Sequence, residues 1–86
     1  MTDPSSLKDL FKRAVDLMKE NANLEAQTLC EQALEVQPGD VNFISLLGTS
    51  LMRQGRLEEA EETLRRVVTI APGFPRAQED LGTVLL

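Results

Sequence analysis

The sequence predicts an all-α fold built from antiparallel helix pairs. Three observations carry that prediction. Apolar residues recur at helical spacing in successive blocks, and no stretch alternates with period two. Each block is closed by Asn, Gly or Pro-Gly. The chain also repeats itself at a single offset. Leu47-Gly48-Thr49 recurs as Leu81-Gly82-Thr83, and Pro38-Gly39 as Pro72-Gly73, each 34 residues later. Ala26 recurs as Ala60, Glu25 as Glu59, Leu17-Met18 as Leu51-Met52, and Leu51 again as Leu85, at the same offset. A period of that length marks stacked helical units, none of which can bury its apolar face alone.

The first helix is expected over residues 6–20. Ser6 is its candidate cap, with Asp9 as a weaker capping-box partner. Leu7, Leu10, Phe11, Ala14, Val15, Leu17 and Met18 form its apolar side. Asn21-Ala22-Asn23 breaks it, because Asn tolerates the left-handed conformation. A second helix is expected over 24–36, stopped before Pro38-Gly39. Asp40 caps a third, over 41–54, which Gly55 ends. A fourth is expected over 57–70, ending ahead of Pro72-Gly73. Pro75 suits the first position of a fifth, over 75–86. The repeat divides a single domain, 1–86, into a first unit 7–40, a second 41–74 and a half unit 75–86. Gly48 and Gly82 lie inside helices, where glycine costs roughly 1 kcal/mol in propensity. Close approach of a neighbouring helix explains them, with Ala26 and Ala60 as the opposing small residues.

Composition removes several function classes. The 86 residues include no His, Trp or Tyr. A His-based triad, a His-ligated metal and a base-stacking platform are therefore excluded. Fourteen acidic against nine basic residues give a net charge of -5, which argues against nucleic-acid binding through phosphates. The single cysteine, Cys30, cannot form an internal disulfide, which suits a reducing compartment. No basic start followed by an apolar run marks a signal peptide, and nothing is apolar enough to span a bilayer. These features predict a soluble, cytoplasmic protein with no membrane partner. Glu58, Glu59, Glu61 and Glu62 read as a solvated helix start, with Glu61–Arg65 and Glu62–Arg66 as favourable pairs. No base or phosphate-cradling loop accompanies the serines, so no enzyme and no cofactor is expected.

The residues at punctuation and packing positions resemble the tetratricopeptide repeat family. That family's 34-residue helix-turn-helix unit carries a W-x2-L-G-x2-Y…A-x3-F…A…P pattern. The second unit reads Ile44, Leu47, Gly48, Leu51, Ala60, Leu64, Val67, Pro72. The first reads Leu10, Arg13, Ala14, Leu17, Ala26, Cys30, Ala33, Pro38, with Arg13 in place of leucine and free to face solvent. The third offers Gln78, Leu81, Gly82 and Leu85. The resemblance implies an α-solenoid of helix pairs and a buried, inert Cys30. It also implies a protein-interaction scaffold or adaptor with a concave groove for a peptide or partner segment. Carried over, the groove positions are Lys8, Phe11, Lys12, Val15 and Met18; Asn42, Ser45, Leu46, Thr49 and Met52; and Arg76, Glu79, Asp80 and Thr83. Some members clamp the terminal carboxylate of heat-shock chaperones. At those positions this chain has Phe11, Val15, Leu46, Arg76 and Asp80, of which only Arg76 suits the task. A chaperone clamp is therefore not expected.

The end of the chain suggests a second role. Leu81, Val84, Leu85 and Leu86 make an apolar ridge where a solenoid normally has a polar capping helix. The expectation is either an excised piece of a longer protein or a homodimer through that ridge. The alternative function is accordingly assembly, or regulation, by an N-terminal segment of a larger protein. Arrays of similar look stand ahead of enzyme domains in some bacterial proteins.

Overall fold

The structure, a computed structural model, describes residues 4–73. Four helices follow one another: α1 (Pro4–Lys19), α2 (Asn23–Val36), α3 (Val41–Arg53) and α4 (Leu57–Ile70). No strand occurs among the described residues. Each helix packs on the next, and α1 also touches α3. The architecture is therefore two stacked helix pairs of an α-solenoid. The expected fifth helix lies outside the described residues, and with it Arg76, Leu81, Val84, Leu85 and Leu86.

The boundaries differ from the sequence reading by small amounts with physical causes. α1 begins at Pro4, so Ser6 lies inside the helix and is not its cap. Proline is well suited to a first turn, where a missing N–H removes no helical bond. α2 begins at Asn23, one residue earlier than expected, behind Ala22, which supplies no side-chain cap. α3 ends at Arg53, one residue early.

The two turns inside the helix pairs share one geometry. Asn21 has φ 62° and Gly55 has φ 79°, both left-handed. The Ala22 N–H donates to the Leu17 carbonyl at 2.8 Å, and the Arg56 N–H to the Leu51 carbonyl at 3.0 Å. This six-residue closure satisfies carbonyls that a helix end would otherwise leave open. Asparagine and glycine fill the same position 34 residues apart because both tolerate that backbone.

Asp40 caps α3 as its sequence position predicts. Its Oδ1 accepts from the Asn42 N–H at 3.0 Å and the Phe43 N–H at 3.4 Å. Asp40→Ala should cost about 1 kcal/mol and lower the melting temperature by roughly 4–8 °C. Circular dichroism melts of the variant check this. Asp40→Asn, which keeps the acceptor oxygen, should restore most of the loss.

Two apolar clusters hold the layers. The first gathers Ala14, Met18, Ala26, Cys30, Ala33, Phe43 and Leu46, so it joins α1, α2 and α3. Within it Phe11 and Phe43 meet edge to face, with ring centroids 5.4 Å apart. The second gathers Ile44, Leu64 and Val67 between α3 and α4. Gly48 is buried, and a Cβ placed on it would stand 2.6 Å from Leu64 Cδ2. The close approach is thus against Leu64, where the sequence had pointed to Ala60. Ala60 is fully buried nearby in the chain.

A polar cluster ties the first unit to the second. The buried Gln27 Oε1 accepts from Gln54 Nε2 and from Arg56 Nη1, both at 2.9 Å. Gln27 Nε2 donates to Glu31 Oε2 at 3.2 Å. Arg53 Nη1 donates to the Met18 carbonyl at 2.8 Å, which closes the end of α1 onto α3. These bonds satisfy groups that would be expensive to bury unpaired.

Candidate functional site

The first helices of the two units, α1 and α3, lie side by side. Between their N-terminal halves runs a crease of about 210 Å³, lined by Leu7, Lys8, Phe11, Asp40, Asn42 and Phe43. Phe43 is buried and forms its floor, while Phe11 is half-buried against it. Lys8 and Asn42 are exposed at the rim. The two neighbouring apolar rings exist because helical spacing places Phe11 and Phe43 on facing sides of α1 and α3. Their edge-to-face pairing fixes the width of the crease.

The groove positions named from the sequence divide into two groups. Phe11, Val15 and Met52 are half-buried, and Asn42 is exposed. Met18, Ser45, Leu46 and Thr49 are buried. Met18 and Leu46 belong to the first core cluster, where α3 packs on the first helix pair. The Thr49 hydroxyl donates to the Ser45 carbonyl at 3.1 Å, one helical turn back. The Ser45 hydroxyl is buried with no hydrogen-bond partner. Sequence reasoning had left open that several of these complete the core. Arg76 lies outside the described residues.

A second depression, of about 320 Å³, lies between α1 and α2 and is lined by Arg13, Leu17, Glu25, Thr28 and Leu29. Arg13 is exposed there, as its replacement of the usual leucine predicts. Around α4 the acidic run is largely solvated. Glu61 pairs with Arg65 at 2.8 Å, and Glu59 pairs with Arg56 across the first turn. The expected Glu62–Arg66 pair does not form, and both side chains are exposed to water instead. Among the described residues no three His, Cys, Asp or Glu side chains converge on a possible metal position. Among them, too, no helix is long and apolar enough to cross a membrane.

Cys30 is fully buried, and its thiol is pushed up from 9.0 to about 12. Desolvation is the main cause and the nearby Glu31 charge the lesser one. A thiol held neutral is a poor nucleophile. The sign of the pH effect follows from linkage. The unfolded chain ionises this thiol near its ordinary 9.0, whereas the folded chain holds it neutral. Stability from Cys30 is therefore complete below that pH and is lost as pH rises from 9.0 to about 12. Cys30→Ala should flatten the fall of stability across that window in urea titrations. An unchanged slope would refute the burial of the thiol as its cause.

Comparison with known proteins places this geometry among relatives. Residues 17–81 match the family model described as tetratricopeptide repeat. The chain is 43% identical over 60 residues to Protein POLLENLESS 3-LIKE 2 of Arabidopsis thaliana, covering 70% of this chain and 14% of that protein. It is 34% identical over 73 residues to the human FK506-binding protein-like protein, covering 85% of this chain and 21% of that one. The chain therefore spans about a fifth or less of the length of these relatives. Among solved structures, the second TPR domain of human RPAP3, in complex with the HSP70 peptide SGPTIEEVD, superposes with a TM-score of 0.84. That match has 25% sequence identity and covers 90% of this chain and 64% of the other.

Proposed function

Since this chain belongs to the tetratricopeptide repeat family, we propose that it is a non-catalytic protein–protein interaction module of the cytoplasm. It takes up a peptide or partner segment along the shared face of α1 and α3. The observation that carries this reading is the open crease with Phe43 as its floor, Phe11 on its wall, and Lys8 and Asn42 at the rim. An apolar floor with a few polar groups at the edge is the usual make-up of a binding site. The peptide complex of the RPAP3 domain supports the same use of the fold. The ligand differs in kind, because Phe11 and Val15 offer no donors to a terminal carboxylate. So short a face suits affinity that is micromolar or weaker, about 8 kcal/mol or less.

The test is a selection of displayed peptides on the 86-residue chain, followed by substitution. Met18 and Leu46 are core residues and are left intact, whereas Val15 packs against that core only from a half-buried position. Val15→Glu with Met52→Glu should weaken the selected peptides by about tenfold or more at unchanged helicity. Glu62→Ala, on α4, should leave binding as it was. Peptides that ignore the first pair and respond to the second would sink the groove reading.

A further inference from the structure

We propose that the partner of the α1–α3 face is an acidic peptide segment, held by lysine side chains along α1 and not by its own terminal carboxylate. This rests on the groove reading above and names the chemistry of its ligand. The first observation is the distribution of charge. The chain as a whole is acidic, at -5. Yet α1 and α3 together carry five cations and two anions. α2 and α4 carry seven anions and two cations. The positive charge of a negative protein is thus gathered on the two helices that form the crease, with Arg13 alone of the five turned to the depression between α1 and α2.

The second observation is where those cations stand. Lys8, Lys12 and Lys19 fall within an arc of roughly 40° on α1, at 100° per residue. All three are exposed; Lys8 stands at the crease, whereas Lys12, which repeats as the buried Leu46, stands on the flank of the arc away from Phe11 and α3. Val15 stands roughly 20° and Phe11 roughly 60° beyond the Lys8 edge of that arc, both half-buried. Asp9 and Asp16, the acids of α1, turn to the other flank by roughly 80–100° from Lys8. Lys8 itself lines the crease. Arg53, bonded to the Met18 carbonyl, is brought to the end of the stripe beside Lys19.

The third observation is that these lysines are uncommitted. Both ion pairs among the described residues are made by Arg56 and Arg65, at α4. The acid nearest the crease, Asp40, already accepts two backbone N–H groups at the start of α3. Those bonds hold Asp40 at the helix start without removing its charge, so a ligand carboxylate is drawn to the ammonium groups on the Lys8 side of the crease and kept from the Asp40 side. A terminal carboxylate reaching the middle of the face would find Phe11 and Val15, which have nothing to donate. Acidic side chains spaced along the ligand instead meet the lysines, while an apolar residue enters the crease. Exposed pairs of this kind are individually weak and sensitive to salt, so the effect is read from the set.

The experiment uses the 86-residue chain and an array of short, amidated peptides permuting Glu with Leu. A matched array carries Lys for Glu, and an oligothymidylate serves as a plain polyanion. The variant is Lys8→Glu with Lys12→Glu and Lys19→Gln; glutamine is used at Lys19 because that residue lies in the last turn of α1. The expected result is binding of amidated Glu/Leu peptides, weakened about tenfold or more in the variant at unchanged helicity. Raising salt from about 50 to about 500 mM should weaken it to a similar degree. Preference for the Lys/Leu array, no loss in the variant, a requirement for a free carboxylate, or equal binding of the oligothymidylate would each overturn the proposal. If peptides bind and respond to Val15→Glu with Met52→Glu but not to the lysine variant, the groove reading stands and only its acidic ligand fails.

Discussion

Gly48→Ala should destabilise the protein by about 1–3 kcal/mol, although alanine is the better helix former by roughly 1 kcal/mol. The sign of the effect decides between two accounts of this glycine. Propensity alone predicts a gain on substitution. Packing predicts a loss, because the new Cβ would lie 2.6 Å from Leu64 Cδ2 and 2.7 Å from Leu64 Cγ. Leu64 cannot swing away freely, since it is fully buried and packs with Ile44 and Val67. Moving Cγ moves the whole branched end of the side chain. Packing therefore wins, and Gly48→Leu should be worse still. A double-mutant cycle sharpens the test. Leu64→Ala alone should cost about 2–5 kcal/mol by opening a cavity. In that background Gly48→Ala should cost nothing or stabilise, giving a coupling well above the roughly 0.5 kcal/mol of independent sites. Urea unfolding of the four proteins measures it. A stabilising Gly48→Ala in the parent protein would mean that α3 and α4 tolerate a wider separation than this packing allows.

The same comparison of units explains what was legible in the sequence. Residue type marked the turns at Asn21-Ala22-Asn23 and Gly55, and the backbone at Asn21 and Gly55 is left-handed as those residues predict. Burial on α3 was harder to read. Phe43, Leu46, Leu47 and Ser50 correspond at that offset to Asp9, Lys12, Arg13 and Asp16. The α3 set is buried or half-buried because α3 packs on the first helix pair. The α1 set is exposed, and no described helix lies ahead of it. Polarity at a repeat position thus reports what covers that unit. It does not report a groove. Leu46 and Met18 carry over to groove positions yet sit in the core, because the concave stripe and the packing stripe are neighbours on one helix, within about one residue's turn. Gln27 had no signal at all. Its partners, Gln54 and Arg56, come from the other unit's turn, and no local spacing links them. The gathering of positive charge on α1 and α3 was present in the sequence, but only a count by helix shows it.

Phe43→Ala should be the most damaging single truncation, at about 3–5 kcal/mol. The ring is 2% exposed and belongs to the cluster that joins α1, α2 and α3. It also makes the edge-to-face contact with Phe11. Domains are stable by roughly 0.05–0.15 kcal/mol per residue, so a chain of 86 residues has on the order of 4–13 kcal/mol in all. The loss is thus a large fraction of the whole, and the variant should melt near or below room temperature if the parent lies at the low end. Phe11→Ala should cost less, because that ring is only half-buried. Phe43→Leu keeps most of the volume and should lose about 1.5 kcal/mol or less. That last variant separates fold from function. It retains the helix pairs but removes the flat floor of the crease, so a folded Phe43→Leu protein should bind the selected peptides more weakly. Parent-like binding by folded Phe43→Leu would mean that the ligand rests on Phe11 and the rim alone. A mild effect of Phe43→Ala, below about 1 kcal/mol, would mean that the first unit does not rely on the second for its core, against the logic of a stacked repeat.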